Sequence, residues 1–294
     1  MKVSIRFFGD KEVRTVWDEL GSSWRFSVID IIGVLRNNVD HNKNRNYWKY
    51  LKAKLIRENN QLVSATTQLK LKARDGKFYN TDTLNAEGVI ELAKSFPAKE
   101  ASRFIVWFID SEDSLDNKSK TRAYSLFESE LMNSIEVGTI KGLQQIHSHL
   151  FGGLYDFAGQ IRTKNIAKGG FKFAPAEFLT NTLNHIEKMP HTTFQEIVTK
   201  YVEMNIAHPF MEGNGRSMRV WLDLMLKDAL ALCVDWSKVP KREYLQAMEK
   251  SVVNTKDIEK LLQTALTSKI NDREVFMKGI DYSYYYEEEH DVVN

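Results

Sequence analysis

Along the second half of the 294-residue chain, apolar side chains recur at intervals of three and four residues. That spacing puts them on one helical face and predicts helices over residues 127–134, 139–150, 175–188, 193–206, 217–232, 242–251 and 255–267. Residues 161–174 break the rhythm. There Thr163-Lys-Asn165 and Lys168-Gly-Gly170 punctuate short apolar pieces, as in a β-hairpin or flap. The first hundred residues read differently. Residues 12–17 and 24–29 are rich in β-branched and aromatic side chains and flank Asp18-Glu-Leu-Gly-Ser-Ser23, which is turn chemistry, so a hairpin is predicted. Helical spacing follows over 28–35 and 46–56, strand character over 61–77, and helical spacing again over 83–93 and 99–108. The expected fold is mainly α: a small α+β unit over 1–110, a polar connection over 111–123, and a helical bundle with a hairpin flap over 124–294.

Composition adds limits. Lys plus Arg number 41 and Asp plus Glu 39, but residues 1–110 hold 19 basic and 13 acidic side chains, and the remainder 22 and 26. A near-neutral total therefore hides two parts of opposite sign, which suggests different partners. The lone Cys233 forms no intrachain disulfide and suits a reducing compartment. The opening Met-Lys-Val-Ser-Ile-Arg-Phe-Phe-Gly-Asp lacks the apolar core of a signal peptide, and no stretch reaches the roughly 20 apolar residues of a membrane span. A soluble, cytoplasmic protein without membrane partners is expected.

Chemistry concentrates in His208-Pro-Phe-Met-Glu-Gly-Asn-Gly-Arg-Ser-Met-Arg219, between two helical patterns. Pro209 takes His208 out of the helical region and ends the preceding helix. Gly213-Asn214-Gly215 lets successive backbone N–H groups turn into one concavity, and the helix N-terminus that follows favours an anion. Arg216 and Arg219, three apart, share a helix face, so two guanidinium forks stand beside the amide nest, a site for several phosphates. Glu212 supplies a hard oxygen suited to Mg²⁺, and His208 can take a proton from an attacking hydroxyl. These parts describe nucleotidyl or phosphoryl transfer. The chain has no Gly-x-x-x-x-Gly-Lys-Ser/Thr for a Walker-type ATPase and no His-Glu-x-x-His or Cys cluster for zinc hydrolysis.

The segment resembles the signature of Fic-domain proteins, His-Pro-Phe-x-x-Gly-Asn-Gly-Arg-x-x-Arg, at every fixed position. The similarity runs from about Tyr124 onward and takes in Leu150-Phe-Gly-Gly-Leu-Tyr-Asp-Phe-Ala-Gly-Gln-Ile-Arg162 and Lys168-Gly-Gly-Phe-Lys-Phe173. The resemblance implies transfer of AMP from ATP, with Mg²⁺, to a Ser, Thr or Tyr hydroxyl of a target protein. It makes His208 the general base and Glu212 the metal ligand, where relatives often have Asp. Gly213, Asn214 and Gly215 become the anion hole, Arg216 holds the phosphates and Arg219 orients the γ-phosphate. Lys168, Asn205 and the stretch Gln246, Ala247, Met248 and Glu249 fall at nucleotide-binding positions. Gly215 stands where relatives that phosphorylate carry Lys, which favours AMP transfer here. The flap would align the target segment by strand addition.

Ser283 and Glu287 are four apart, one helical turn, near the end of the sequence. Some Fic proteins carry an inhibitory helix, Ser/Thr-x-x-x-Glu-Gly/Asn, whose glutamate pairs with the second signature arginine; here Glu288 stands at the last position. The expectation is a helix over about 279–290 whose Glu287 pairs with Arg219. Glu287 would also be placed to align water for AMP removal, which would make the enzyme reversible, and relatives with such a helix can form homo-oligomers. Tyr284, Tyr285 and Tyr286 would be hydroxyls on a mobile segment, open to self-modification.

In the first part, residues 42–77 hold ten Lys or Arg and two acids, with Tyr47, Trp48 and Tyr50 interleaved. Two readings stand: a nucleic-acid surface, or a basic helix whose rings face its own core. Phe7-Phe8-Gly9, Val13-Arg-Thr-Val-Trp17, Trp24-Arg-Phe-Ser-Val-Ile-Asp30 and Tyr47-Trp48-Lys49 look like the Bro-N domain of phage and viral antirepressor-type proteins, which implies DNA as a partner. A DNA-binding regulator with a silent Fic domain is thus the rival to an adenylyltransferase.

Overall fold

Antiparallel pairing of Val3–Phe8 (β1), Lys11–Asp18 (β2) and Ser23–Ser27 (β3) opens the computed structural model of the chain, which describes residues 3–73, 75–129, 131–168 and 171–287. The β2–β3 pair is the hairpin expected from sequence, with Trp17 opposite Trp24. The described residues divide into two compact units, the first ending at Ser114 and the second starting at Leu115.

In the first unit Val28–Leu35 (α1) follows β3 directly, its first turn capped by the Ser27 hydroxyl. His41–Arg57 (α2) starts five residues earlier than its apolar spacing indicates, because the Asp40 carboxylate accepts from the N–H groups of Asn42 and Lys43. The strand expected over 61–77 divides: Gln61–Ser64 is a helical turn (α3), capped by Asn60, and only Thr67–Lys72 (β4) is extended. Phe78–Leu84 (β5) completes a sheet of order β1-β2-β3-β5-β4 and takes Thr83 and Leu84 from the helix predicted there. Ala86–Ala93 (α4) and Ala98–Asp113 (α5) follow, and Phe26, Ile31, Ile32, Trp48, Leu84 and Phe104 are core residues.

Two rings and one cation of the basic–aromatic stretch turn inward, while Lys43, Arg45, Lys49, Lys54 and Arg57 stay exposed. The Trp48 indole N–H and the Lys52 ammonium both reach the Asp82 carboxylate at 2.7 Å, and the Tyr47 ring lies against Phe96 and under Arg36. Tyr50 faces solvent, 76% exposed. Arg74, within this stretch, lies outside the described residues.

The second unit is the expected helical bundle: Leu115–Glu128 (α6), Leu131–Ser134 (α7), Ile140–Phe151 (α8), Ala176–Glu187 (α9), Phe194–Ala207 (α10), Asn214–Leu230 (α11), Lys241–Lys250 (α12), Lys256–Ala265 (α13) and Arg273–Tyr285 (α14). Ala167–Lys168 (β6) pairs with Phe171–Lys172 (β7) to make the flap between α8 and α9, and Cys233–Val234 (β8) pairs with Leu266–Thr267 (β9). The flap glycines 169 and 170 lie outside the described residues. α11 is the central element: Met218, Trp221, Leu222, Met225 and Leu226 are fully buried, and the helix packs against α8, α10 and α14.

The connection expected over 111–123 is instead helical, occupied by the end of α5 and by α6. Two of its polar residues are buried because polar partners await them: the Lys120 ammonium meets Asp281 of α14 at 2.7 Å, with side chains 8% and 1% exposed, and Ser119 accepts from the Tyr284 hydroxyl at 2.9 Å. Tyr124 also donates to Asp281. The C-terminal helix begins at Arg273, six residues before its expected start, where Asp272 caps it, and ends at Tyr285, so Glu287 stands in the turn just past it, its N–H on the Tyr284 carbonyl; residues past 287 lie outside the described ones. Among the described residues no helix is long and apolar enough to cross a membrane.

Because α14 is tied to α6 through a desolvated ion pair, Asp281→Ala removes the counter-charge of Lys120. It should lower unfolding free energy by about 3 kcal/mol. Equilibrium urea unfolding checks this; a loss below about 1 kcal/mol, the range of an exposed pair, contradicts it.

Candidate active site

α10 ends at Ala207, and His208 then takes a left-handed conformation at φ 50°, ψ 66°. The carbonyl of Asn205 can only accept, so its 3.1 Å contact with His208 Nδ1 puts the proton on that nitrogen and leaves Nε2 with a free lone pair. The Phe173 ring, next after β7, stacks on the imidazole with centroids 3.7 Å apart. Burial pushes the His208 pKa down to about 4, so the ring is a neutral base at physiological pH.

Between His208 and α11 the loop is held by side chains that mimic backbone. Asn214 accepts from the Phe210 N–H at 2.9 Å and returns a bond to the Phe210 carbonyl at 2.8 Å. Expected as part of an anion hole, Asn214 thus spends its side chain on the turn and offers its backbone N–H. Gly213 lies at φ 77°, and a Cβ there would run into the Phe151 ring. His147 on α8 supports the turn from beneath. Its Nδ1 accepts from the Gly159 N–H at 2.8 Å, so its Nε2 carries the proton and donates to the Glu212 carbonyl at 2.8 Å. Burial holds this histidine down to about 4 as well. Past the turn, the N–H groups of Asn214, Gly215 and Arg216 head α11 with no acceptor inside the helix.

The two arginines are both buried. Arg216 reaches Glu212 at 2.9 Å with one arm and Asp116 with the other, and lies over the Phe151 and Tyr284 rings. Its Nε is buried with no hydrogen-bond partner among the described residues. Arg219 donates from Nε to the Ser283 hydroxyl at 2.7 Å and from Nη2 to the Ser283 carbonyl at 2.7 Å and to Glu287 at 2.6 Å. Tyr244 and Tyr286 bracket the guanidinium, and the Tyr244 hydroxyl lies 3.3 Å from Nη1. Burial alone would raise the Glu287 carboxyl, but Arg219, with Lys168 of the flap at 3.4 Å, overrides it and holds the pKa down to about 2. Gly215 leaves the room for this contact, since a Cβ there would overlap the Glu287 carboxylate.

The structure therefore gathers His208, Glu212, Gly213, Asn214, Gly215, Arg216, Arg219, Ser283, Glu287 and Lys168 around the head of α11. Along α12, Ala247 and Met248 are packed inside and Gln246 and Glu249 face solvent, while Tyr244 of the preceding turn contacts Arg219. Asn205 contributes its carbonyl. The tyrosines expected to be mobile are buried, with the Tyr284 hydroxyl on Ser119 and the Tyr286 hydroxyl on the Trp236 and Val239 carbonyls. Sequence reading missed His147, Tyr244 and Asp116; the signal for His147 was a polar side chain on the apolar face of α8.

Glu212 is 55% exposed, and among the described residues no three His, Cys, Asp or Glu side chains could jointly hold a metal. One carboxylate beside an arginine and free N–H groups suits an ion bound chiefly through substrate phosphates, as Mg²⁺ is, better than a resident metal.

Residues 138–226 match the Fic/DOC family. The chain is 30% identical over 152 residues to the protein adenylyltransferase VbhT of Bartonella schoenbuchensis, covering 47% of this chain and 32% of that one. It is 30% identical over 118 residues to the probable protein adenylyltransferase y4lH of Sinorhizobium fredii, covering 36% of this chain and 61% of that one. Among solved structures, the BepC protein of Bartonella tribocorum with bound AMPPNP superposes with a TM-score of 0.42 at 21% identity, over 51% of this chain and 87% of that one. The chain thus spans about a third and three-fifths of the two curated relatives.

Both site histidines should be neutral at pH 6 and titrate near 4, as against about 6.5 for a free imidazole. Below 6.5 the unfolded chain binds protons that the folded chain refuses, so stability falls as pH drops from about 6.5 to 4. Imidazole NMR titration checks this, and midpoints near 6.5 contradict it.

Proposed function

We propose that this chain, whose residues 138–226 make a Fic domain, is a protein adenylyltransferase held in an inhibited state by its own C-terminal helix. The observation that carries this reading is the pairing at the head of α11: a neutral histidine with a free Nε2 beside two buried guanidiniums, one occupied by Glu287 and one with an unpartnered Nε. The similar proteins of Bartonella and Sinorhizobium named as adenylyltransferases support it.

In the proposed reaction ATP lies with its phosphates on the α11 N-terminus and on Arg216. Nε2 of His208 takes the proton of a Ser, Thr or Tyr hydroxyl on the target. The freed oxygen attacks the α-phosphorus, an O–P bond forms, the bond to the β-phosphate oxygen breaks, and pyrophosphate leaves. Glu212 would hold a Mg²⁺ ion, which when bound would offset charge on the leaving group. The N–H groups of Asn214, Gly215 and Arg216 would meet the phosphates, and Lys168 of the flap, now 3.4 Å from Glu287, would lie near them; the Gly213 N–H is held by the Glu212 carboxylate at 3.0 Å and joins them only when Glu212 turns to the metal. Arg219 is the natural partner of the γ-phosphate, and Glu287 now holds that place. Gly215, standing where relatives that phosphorylate carry Lys, favours the nucleotide orientation that presents the α-phosphate.

An Arg–carboxylate contact of this kind is worth about 1–3 kcal/mol, so releasing it raises turnover about 10–100-fold. Incubation with α-labelled and γ-labelled ATP and a lysate tests the reading. Glu287→Gly should increase transfer of α-label by that factor, His208→Ala should abolish it, and γ-label should not transfer. Flat activity in Glu287→Gly contradicts inhibition by this residue; γ-label transfer contradicts adenylylation.

The first unit supports a second, separate proposal. Lys43, Arg45, Lys49, Tyr50 and Arg57 all lie on the solvent face of α2, a basic strip with one exposed ring that suits a nucleic-acid backbone. The Bro-N resemblance points the same way. Full-length protein should bind duplex DNA with salt-sensitive affinity, and Arg45→Glu with Lys49→Glu should flatten the salt slope by about 2. No binding at low ionic strength removes this proposal.

A further inference from the structure

Arg162 lies outside the signature, between α8 and the flap, with its side chain almost wholly buried. Among the described residues it has no carboxylate partner. Its guanidinium instead donates to four backbone carbonyls: Nε to His208 at 2.7 Å, Nη1 to Lys164 at 2.7 Å, and Nη2 to Ala174 at 2.6 Å and Ala207 at 3.0 Å. Its own N–H donates to the Pro209 carbonyl at 2.8 Å.

These acceptors fall into two groups. Ala207, His208 and Pro209 form the end of α10 and the turn after it, where helix carbonyls lack partners and the dipole is negative. Lys164 and Ala174 bracket the flap strands β6 and β7. One rigid fork therefore ties both ends of the flap to the backbone that carries the histidine. The conformation it holds is costly in isolation: His208 is not glycine, its φ is 50°, and a proline follows. The flap closes the same circuit from the other side, since the Phe173 ring stacks on the imidazole and the Ala174 N–H donates to the Ile206 carbonyl at 3.2 Å.

We infer that Arg162 is the positioning residue of His208, and that through its four carbonyls the flap and the general base move as one body. A target segment that seats on the flap then orients the base in the same step. The role assigned to the base rests on the adenylyltransferase reading; the coupling of flap to imidazole does not.

The test uses Arg162→Lys, which keeps the charge but cannot reach four carbonyls from one ammonium. In a Glu287→Gly background the substitution should lower kcat about 10–100-fold, with KM for ATP within about twofold, because no nucleotide contact is touched. In substrate-free protein that keeps Glu287, the groups facing His208 are Lys168, Glu287 and residue 162 itself. There, NMR should show the His208 titration moving from about 4 toward 6.5 as the imidazole is released to solvent, and the ring-current shift from Phe173 should shrink. Where the lysine variant does not fold, Arg162→Gln, which leaves no unpaired charge, gives the same readouts. Unchanged titration and kcat, or a loss confined to KM for ATP, overturns the inference. An absence of AMP transfer with Arg162 intact strikes the functional reading alone, since the NMR comparison still decides the coupling.

Discussion

A guanidinium that is 3% exposed must find an anion, and in this chain the anion comes from 68 residues further along the sequence: Arg219 is matched by Glu287. A buried charge left alone costs several kcal/mol, so whichever group neutralises Arg219 is held firmly. The surroundings are built for that one cation. Two tyrosine faces bracket it, the hydroxyl and carbonyl of Ser283 take two more donors, and Gly215 gives the carboxylate room to arrive. α14 is in this sense a ligand of α11. On the proposed function, a triphosphate is the other ligand for the same place, and activity is set by which of the two occupies it.

The exchange is costly because Glu287 does not hold α14 by itself. Lys120 and Tyr124 fasten Asp281, Ser119 fastens Tyr284, and the Lys241 ammonium reaches the Tyr285 carbonyl at 2.8 Å. Each contact pairs polar groups away from water, so peeling the helix off exposes partners that must be resolvated together. A local change that frees Glu287 alone, leaving the helix in place, meets a smaller barrier than departure of the whole helix. The other face of the site is organised by the same logic of satisfied backbone: His147 and Asn214 fix the turn below the N–H groups that head α11, and Arg162 fixes His208 and the flap above them.

What the sequence disclosed were local constraints. Gly213 must be glycine at φ 77°, Pro209 must end α10, and the shared face of Arg216 and Arg219 follows from 3.6 residues per turn, whereas Glu287 lies in the turn past α14. The pairing of Glu287 with Arg219 came from resemblance; the two groups lie 2.6 Å apart in the structure. What stayed hidden were pairings between distant polar residues. Ser119 and Lys120 lie in a stretch too polar to look buried, yet they meet Tyr284 and Asp281, more than 150 residues away in sequence. The tyrosines near the end looked exposed for the same reason. For Trp48 and Lys52 the sequence left two readings, a nucleic-acid surface or a ring facing its own core, and Asp82 accounts for both side chains. Arg162 was visible only as a letter in a resemblance, because its partners are carbonyls, which no side-chain pattern records.

Competition between Glu287 and the γ-phosphate for Arg219 is the centre of this account, and nucleotide discrimination measures it most directly. Calorimetric titration of ATP and of ADP into the intact chain and into Glu287→Gln isolates the γ-phosphate, since the two nucleotides differ in nothing else and the variant keeps the side chain's shape. The account predicts similar affinities for ATP and ADP in the intact chain. In the variant it predicts a preference for ATP that grows by about tenfold or more, about 1.4 kcal/mol. An unchanged ratio of ATP to ADP affinity would mean that Glu287 does not occupy the γ-phosphate's place.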